Sequence, residues 1–520
     1  MIESEPGQVV AEPLSPAERF ARLAVPIVAV AVGLAAWALP ATLTNDGPNH
    51  LLAAWMHHVD AIGQSIGTRY GLAVPPTSRG FNEFTRLLLA LGLDLPTAAH
   101  VAPLACVALL AAASVAFIRS QGSKVATAAA LALPLCKHLC LGFYPFLLGM
   151  AFGLIALASL TALRGRSPLL RIAVCAALFF VAARCHVVAA AVCGLVAFVL
   201  EVAAAGWRGG VLAAVVGVPA LIVVAQVREV TRPLDAVFSK TPFPERLAGL
   251  PDALLGGPLW RGGVLLALLI PASLLVVRQA STQRNLRALA ASGLGLICLG
   301  AILPRDLWGW QLAGDRSLLL GVIVCLPSLD ALPRRMRAAA AALAVWAVIA
   351  STWFLFQGLD VQARHGATVA AALNARETDF ARVPLRRAQL EPLARDYAPL
   401  FYVDHLVTIG GGGASIFGQA TQANNHYLRL LGSDEAPQPE RIPEGSIDGG
   451  GPLASWEVLP LKLGLISVVK GLTFVGPEED IRFLEEVVGY RSVYRAADLA
   501  VMSLVGCSMR IQFRGELRDA

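Results

Sequence analysis

Charge is what this sequence has least of. Only 15% of its 520 residues are Asp, Glu, Lys or Arg, against about 25% in an ordinary soluble protein. With 56% of residues hydrophobic, that shortage excludes a soluble globular chain. It points to a polytopic membrane protein, because a span needs about 20 mostly apolar residues and many windows here qualify. The net charge of +6 then carries no message about nucleic acid; in such a chain, basic residues mostly report topology. A disulfide scaffold is excluded as well. Eight of the nine cysteines lie in or beside apolar runs, where cysteine behaves as a small hydrophobe, and Cys507 has no partner in a soluble-looking region.

Cofactor motifs are equally scarce. Cys136-Lys137-His138-Leu139-Cys140 lacks a second ligand pair at zinc spacing, and no HExxH pattern occurs. Thr408–Ser415, TIGGGGAS, lacks the GK[ST] of a P-loop and reads as a flexible turn. No cofactor is expected; a divalent cation on Asp46 with His50, His57 and His58 is the less favoured alternative. No long-period repeat or pair of broken helices of the transporter kind is visible.

Eleven apolar runs are present, from Leu23–Leu39 to Ala338–Phe356. Two of them, Val125–Cys136 and Leu318–Leu329, are short for a span. The first run reads as an uncleaved span preceded by a cytoplasmic tail, residues 1–22. Short connections rich in Arg and Lys (Arg119 and Lys124; Arg164, Arg166 and Arg171; Arg278, Arg284 and Arg287; Arg334, Arg335 and Arg337) alternate with longer ones of mixed charge. By the positive-inside rule the first set is cytoplasmic and the second, including the first loop 41–96, faces outward. Expected boundaries are a membrane domain over 23–357 and an extracytoplasmic tail domain over 358–520. In that tail, Pro399–Ile409, Gly471–Gly476 and Ala497–Val505 read as strands and Pro477–Tyr490 as a helix, which together predict a small α/β domain.

The first outer loop carries the strongest chemical signal. Gly47-Pro48 breaks the chain, and Pro48 suits the first position of a helix. The helix that follows has Leu51, Trp55, Val59 and Ile62 on one side, and His50, His57 and Gln64 at seven-residue spacing on another. That pattern predicts an amphipathic helix lying on the membrane surface. Asp46 precedes it, where the helix dipole favours an ionised carboxylate able to act as a general base. On these residues alone, a plain helix cap with interfacial histidines is the better reading. Its position on the outer face, with charged turns around it, makes Asp46 the best active-site candidate in the chain.

Those turns are three. Lys137 and His138, then Arg184 and His186, interrupt apolar runs; Arg305, Asp306, Asp315 and Arg316 sit at the outer end of another. Charge at this depth is costly and marks function, and cations converging there suit a phosphate or pyrophosphate. Ordinary solvation with snorkelling side chains is the alternative. His57, Asn82, Trp308 and Trp310, on the outer loops and their margins, are the acceptor-side candidates.

The arrangement resembles the GT-C superfamily of integral-membrane glycosyltransferases. Bacterial GT-C-like proteins carry a DGPxH segment after the first span, a PPxxxxxN stretch before the second and a GFYxFLLGM turn before a later one. This chain has Asp46-Gly47-Pro48-Asn49-His50, Pro75-Pro76 with Asn82, and Gly142-Phe143-Tyr144-Pro145-Phe146-Leu147-Leu148-Gly149-Met150. The resemblance implies an α-helical polytopic GT-C-like fold in a bacterial inner membrane, with the N-terminus cytoplasmic and the tail periplasmic. It implies a polyprenyl-phosphate-linked sugar donor held by outer-face cations, an envelope acceptor (lipid, glycan or protein), and Asp46 as catalytic base with His50 orienting it. Lys137, His138, Arg184, His186, Arg305 and Arg316 are the donor-phosphate candidates. The chain has one acid in the first loop where some members have two, and no clear metal triad. A non-catalytic transporter or assembly protein for lipid-linked glycans is the alternative.

Overall fold

A computed structural model describes residues 16–62, 70–72, 78–123, 126–230, 242–279, 283–303, 306–307, 310–311, 313–331 and 338–374, and in the tail 381–384, 393, 397, 406, 409, 414–415, 428–430, 472–476, 491–496 and 499–503. The helices are α1 (Pro16–Ala38), α2 (Gly47–Ala61), α3 (Gly80–Ala90), α4 (Leu95–Ser120), α5 (Thr127–Ala132), α6 (Lys137–Cys140), α7 (Tyr144–Ala162), α8 (Pro168–Cys185), α9 (Val187–Ala205), α10 (Trp207–Val230), α11 (Phe243–Leu255), α12 (Leu259–Arg278), α13 (Arg284–Ile302), α14 (Ala313–Cys325) and α15 (Ala338–Leu373). Short 3-10 helices occupy Ala41–Leu43 and Leu326–Ala331. Two compact units are present: Met1–Gly47, Pro75–Gln362 and Leu390–Ala398 in one; Pro48–Val74, Ala363–Gln389 and Pro399–Ala520 in the other.

The first unit is a helical bundle. Among the described residues, nine helices are long and apolar enough to cross a membrane, and the chain is a multi-pass membrane protein. α1 shows how such a helix is built. Leu23, Ile27, Val30, Leu34 and Trp37 are exposed along one stripe, while Ala24, Val28, Ala31, Ala35 and Ala36 are buried on the other. Both sides are apolar, and the buried side is small, so neighbouring backbones approach closely. α4 begins on an Asp94 side chain that accepts from the Thr97 N–H at 2.9 Å, with Pro96 in its first turn; the cap satisfies a donor the helix cannot.

Two of the eleven expected spans are not single helices. The start of α4 meets the end of α1, where the His100 Nδ1–H donates to the Trp37 carbonyl at 2.8 Å. The end of α4 meets the end of α7 through Gln121 and Thr161, 3.1 Å apart. α4 and α7 therefore run the same way, and residues 122–143 must return the chain through the bundle. They do so with the short helices α5 and α6. The same holds for α14 and the 3-10 turn after it. Arg316 lies beside His186 at one end, and Asp330 accepts from Ser123 at the other. Irregular backbone is tolerated at membrane depth only inside protein, and almost every described residue of both stretches is buried.

The second unit holds α2 and most of the strands: β1 (Tyr70–Leu72), β4 (Ala381–Pro384), β5 (Ala414–Ser415), β6 (Leu428–Leu430), β7 (Leu472–Gly476), β8 (Arg491–Ala496) and β9 (Leu499–Ser503). The hairpin β2 (Asp306–Leu307) and β3 (Trp310–Gln311) belongs to the first unit. Five strands form a mixed sheet in the order β5-β4-β7-β9-β8, with β4 parallel to β5 and β7 and the remaining pairs antiparallel. β1 pairs with β6. β7 and β9 fall on two of the expected strands. The third differs: Leu406 and Ile409, the described residues of 399–409, are helical. The expected helix 477–490 lies outside the described residues.

Candidate active site at one end of the bundle

The segment 40–47 is a tight turn fastened to the α6–α7 connection. The Asn45 N–H donates to the Cys140 carbonyl at 3.2 Å and the Asp46 N–H to the Leu141 carbonyl at 3.1 Å. Thr44 Oγ1 donates to the Ala41 carbonyl at 3.1 Å and lies 3.0 Å from the Tyr144 hydroxyl. The threonine has one proton, so the tyrosine donates to it. The Tyr144 ring stacks on Phe81 at 4.3 Å, which ties α7 to α3. Gly142 is required here. Its φ is +73°, and a Cβ would fall 2.7 Å from the Gly47 nitrogen and 2.9 Å from that of Asp46. The glycine-led GFY turn and the DGP turn thus form one structure.

Arg316, the third residue after the α14 start, is 5% exposed. Its guanidinium lies over Phe143 and Phe146, 4.7 and 5.5 Å from the ring centroids. Nη1 lies 2.5 Å from His186 Nε2. A guanidinium can only donate, so His186 is the acceptor, a neutral imidazole with its proton on Nδ1. Burial and the Arg316 charge both hold the His186 pKa well below its usual value. His138 packs at 4.9 Å from Phe146, and Phe146 meets His186 edge-on at 5.4 Å. His138 is fully buried, and its Nε2 has no hydrogen-bond partner among the described residues.

The Asp46 carboxyl is half-buried within the field of Arg316. Desolvation raises its pKa from 3.8 to about 7, against the lowering effect of Arg316. Removal of water outweighs the pull of the arginine, so Asp46 is harder to ionise than its place before a helix start suggests. A carboxyl that titrates near neutrality is suited to take a proton at ordinary pH.

Lys137 has another setting. Its Nζ lies 3.4 Å from Asp315 Oδ2 and 3.8 Å from Asp252 Oδ2, so its charge is compensated by two carboxylates and it joins α6, α14 and α11. Arg184 is half-buried near Arg79, whose N–H donates to the Arg184 carbonyl at 3.3 Å. Asn82 is buried on α3, next to Phe81. His50 and His57 lie on α2, in the second unit. Arg305 and Trp308 lie outside the described residues; Trp310 is in β3. The surface-helix expectation for α2 is corrected too. Leu51, Leu52, Ala53, Ala54 and Met56 are all buried, so its first turns are enclosed all round and offer no single face to a bilayer.

Two residues escaped the sequence reading. Arg261 is fully buried in α12. It donates to the carbonyls of Leu255, Gly256 and Leu135 at 2.9, 3.3 and 3.0 Å. It also lies over Trp353 and Phe354, at 4.7 and 5.3 Å from their ring centroids. Tyr397, also fully buried, donates from its hydroxyl to the Leu43 carbonyl at 2.6 Å. No sequence signal marks either contact. Among the described residues, no group of three His, Cys, Asp or Glu could hold a metal ion.

No family model and no curated protein matches the sequence. Solved structures do match the fold. ArnT from Cupriavidus metallidurans bound to undecaprenyl phosphate superposes with a TM-score of 0.52 over 93% of this chain and 97% of that one, at 14% identity. The apo ArnT structure gives 0.54 over 94% and 98%, at 15% identity. The chain shares the overall fold of these ArnT structures.

Proposed function

We propose that this protein is a membrane glycosyltransferase. It moves a sugar from a polyprenyl-phosphate donor to an envelope acceptor on the outer face of a bacterial inner membrane, with inversion. The observation that carries the reading is the Asp46 turn, hydrogen-bonded to the Cys140 and Leu141 carbonyls and lying within the field of the buried Arg316 cation. The shared fold adds support, since one ArnT structure of that fold holds undecaprenyl phosphate.

In this reading an acceptor hydroxyl attacks the anomeric carbon of the donor. Asp46 takes the hydroxyl proton as the new bond forms. The bond from anomeric carbon to phosphate oxygen breaks, and polyprenyl phosphate leaves with the electron pair. Arg316 is the first-choice partner for the growing phosphate charge; Lys137, His138, Arg184, His186 and Arg305 complete the donor side. His50 orients Asp46 or the acceptor, and His57, Asn82, Trp308 and Trp310 serve the acceptor side. No metal or nucleotide enters. The tail is a periplasmic α/β domain that shares acceptor recognition.

The test is mass spectrometry of envelope glycans from a strain lacking this gene, restored with the wild type or with Asp46→Asn. A sugar mass that returns only with the wild type is the expected result. Full restoration by Asp46→Asn would remove Asp46 from the role of base.

A further inference from the structure

The tail's residues Leu390–Ala398 are grouped with the membrane bundle and not with the rest of the tail. Their described side chains, Leu393 and Tyr397, are both fully buried. Tyr397 reaches a residue 354 positions away in sequence, and what it meets is the backbone of the turn that carries Asp46. The Leu43 and Thr44 N–H groups close onto the Pro40 and Ala41 carbonyls at 2.9 and 3.3 Å. The Leu43 carbonyl, on a residue 1% exposed, accepts from Tyr397. A buried carbonyl that lost this donor would seek water, and admitting water would loosen the turn three residues before Asp46.

We infer that Tyr397 is a positioning residue: its hydroxyl holds the Asp46 turn in place and keeps it dry. This rests on the reading of Asp46 as the reacting carboxyl, and its consequence is that the bundle alone is an incomplete enzyme. The groups that act on Asp46 from neighbouring elements are Arg316 of α14 and Tyr144 of α7, with Cys140 of α6 beside Tyr144. None of them replaces the Tyr397 donor. Burial is what lifts the Asp46 pKa to about 7, so a wetter turn lets it fall back toward the ordinary carboxylate range.

The experiment uses the full chain in nanodiscs and Tyr397→Phe, which keeps the ring and removes only the hydroxyl. One measurement is amide hydrogen exchange of residues 43–46. The other is the pH dependence of Asp46 labelling by dicyclohexylcarbodiimide, a reagent that requires a protonated carboxyl. Tyr397→Phe is expected to speed exchange at 43–46 about tenfold while α1 and α9 keep wild-type protection. The labelling midpoint, near 7 in the wild type, should fall by about one pH unit. Unchanged exchange and an unchanged midpoint would overturn the inference. So would faster exchange in all helices alike, which is the signature of general destabilisation. Neither measurement needs turnover. If Asp46→Asn still transfers sugar, the catalytic reading fails while the outcome for Tyr397 still stands or falls by itself.

Discussion

Arg316 donates to Nε2 of His186, and this bond fixes the direction of the cation that acts on Asp46. The histidine is neutral because it accepts, and it stays neutral because it is buried beside a positive charge. The pair works as a rigid bracket. His186 sits between α8 and α9, Arg316 near the start of α14, and the Phe143 and Phe146 rings fill the space beneath the guanidinium.

Removing that cation should move the titration of Asp46 upward. Arg316 lowers a pKa that burial has raised to about 7, so Arg316→Gln leaves burial unopposed. The base form of Asp46 exists above its pKa, and the acid limb of the rate profile should therefore shift to higher pH, by about one unit. His186→Leu frees the guanidinium without deleting it, and its shift should be smaller and of the same sign. Carbodiimide labelling across pH 5 to 9 measures both; a limb that does not move in Arg316→Gln would separate the two residues.

Asp46 also makes the fold pH-dependent. Its folded pKa lies above the unfolded value of 3.8, so the folded state holds the proton more tightly. That stabilisation is fully present below about 4 and is lost as pH rises through 7. Asp46→Asn keeps a neutral group at all pH values. It should match the wild type near pH 4.5 and exceed it at pH 8 by ~2 kcal/mol, after allowance for the partial exposure of the carboxyl. Thermal unfolding at the two pH values reads the difference.

Gly142 and Gly122 offer a matched comparison. Both have positive φ, +73° and +80°, yet a Cβ at Gly142 strikes the Asp46 turn and a Cβ at Gly122 meets nothing within 4 Å. Gly122→Ala should cost about 1 kcal/mol, for the backbone conformation alone. Gly142→Ala should cost about 3 kcal/mol or more, because the 2.7 Å contact forces the turn away, and it should raise exchange at 43–46 as well. Equal costs would mean that the two turns are not packed as described.

Lys137, besides its place on the donor side, is expected to act as a structural ion between Asp252 and Asp315. Lys137→Met leaves Asp252 and Asp315 facing each other without the cation between them, and should destabilise by about 3 kcal/mol. Adding Asp315→Asn to Lys137→Met should recover part of that loss. If the double variant is no more stable than the single one, the ion pair with Asp315 is not what Lys137 supplies.

The sequence carried the membrane class, the alternation of basic and mixed connections, and the DGP and GFY turns. Each rests on a local signal: apolar run length, charge count, or a glycine where the chain must bend. It marked His186 and Arg316 as polar interruptions of apolar runs. It did not yield their bond, which joins positions 130 residues apart. Nor did it yield the donors to the Leu43 carbonyl or the three carbonyls gathered by Arg261, because a backbone acceptor has no residue type to recognise. The raised pKa of Asp46 was hidden for a related reason. Helix ends are visible in a sequence, whereas the depth of the water around a carboxyl depends on packing by distant segments. The two discontinuous crossings were visible only as short apolar runs, since length alone does not say how a chain will be shielded.

Those two crossings give the molecule an uneven face toward lipid. A photoreactive hydrocarbon dissolved in the bilayer would meet Leu23, Ile27, Val30 and Leu34 of α1 and Val211, Val215 and Leu221 of α10. It would pass over α5, α6 and α14, where Leu133, Leu139, Leu318, Leu320 and Val322 are wholly enclosed. Lys137, His138 and Arg316 are thus mounted on segments that the surrounding lipid does not touch. Thinning or stiffening the membrane should alter the outer helices well before it disturbs the charged centre.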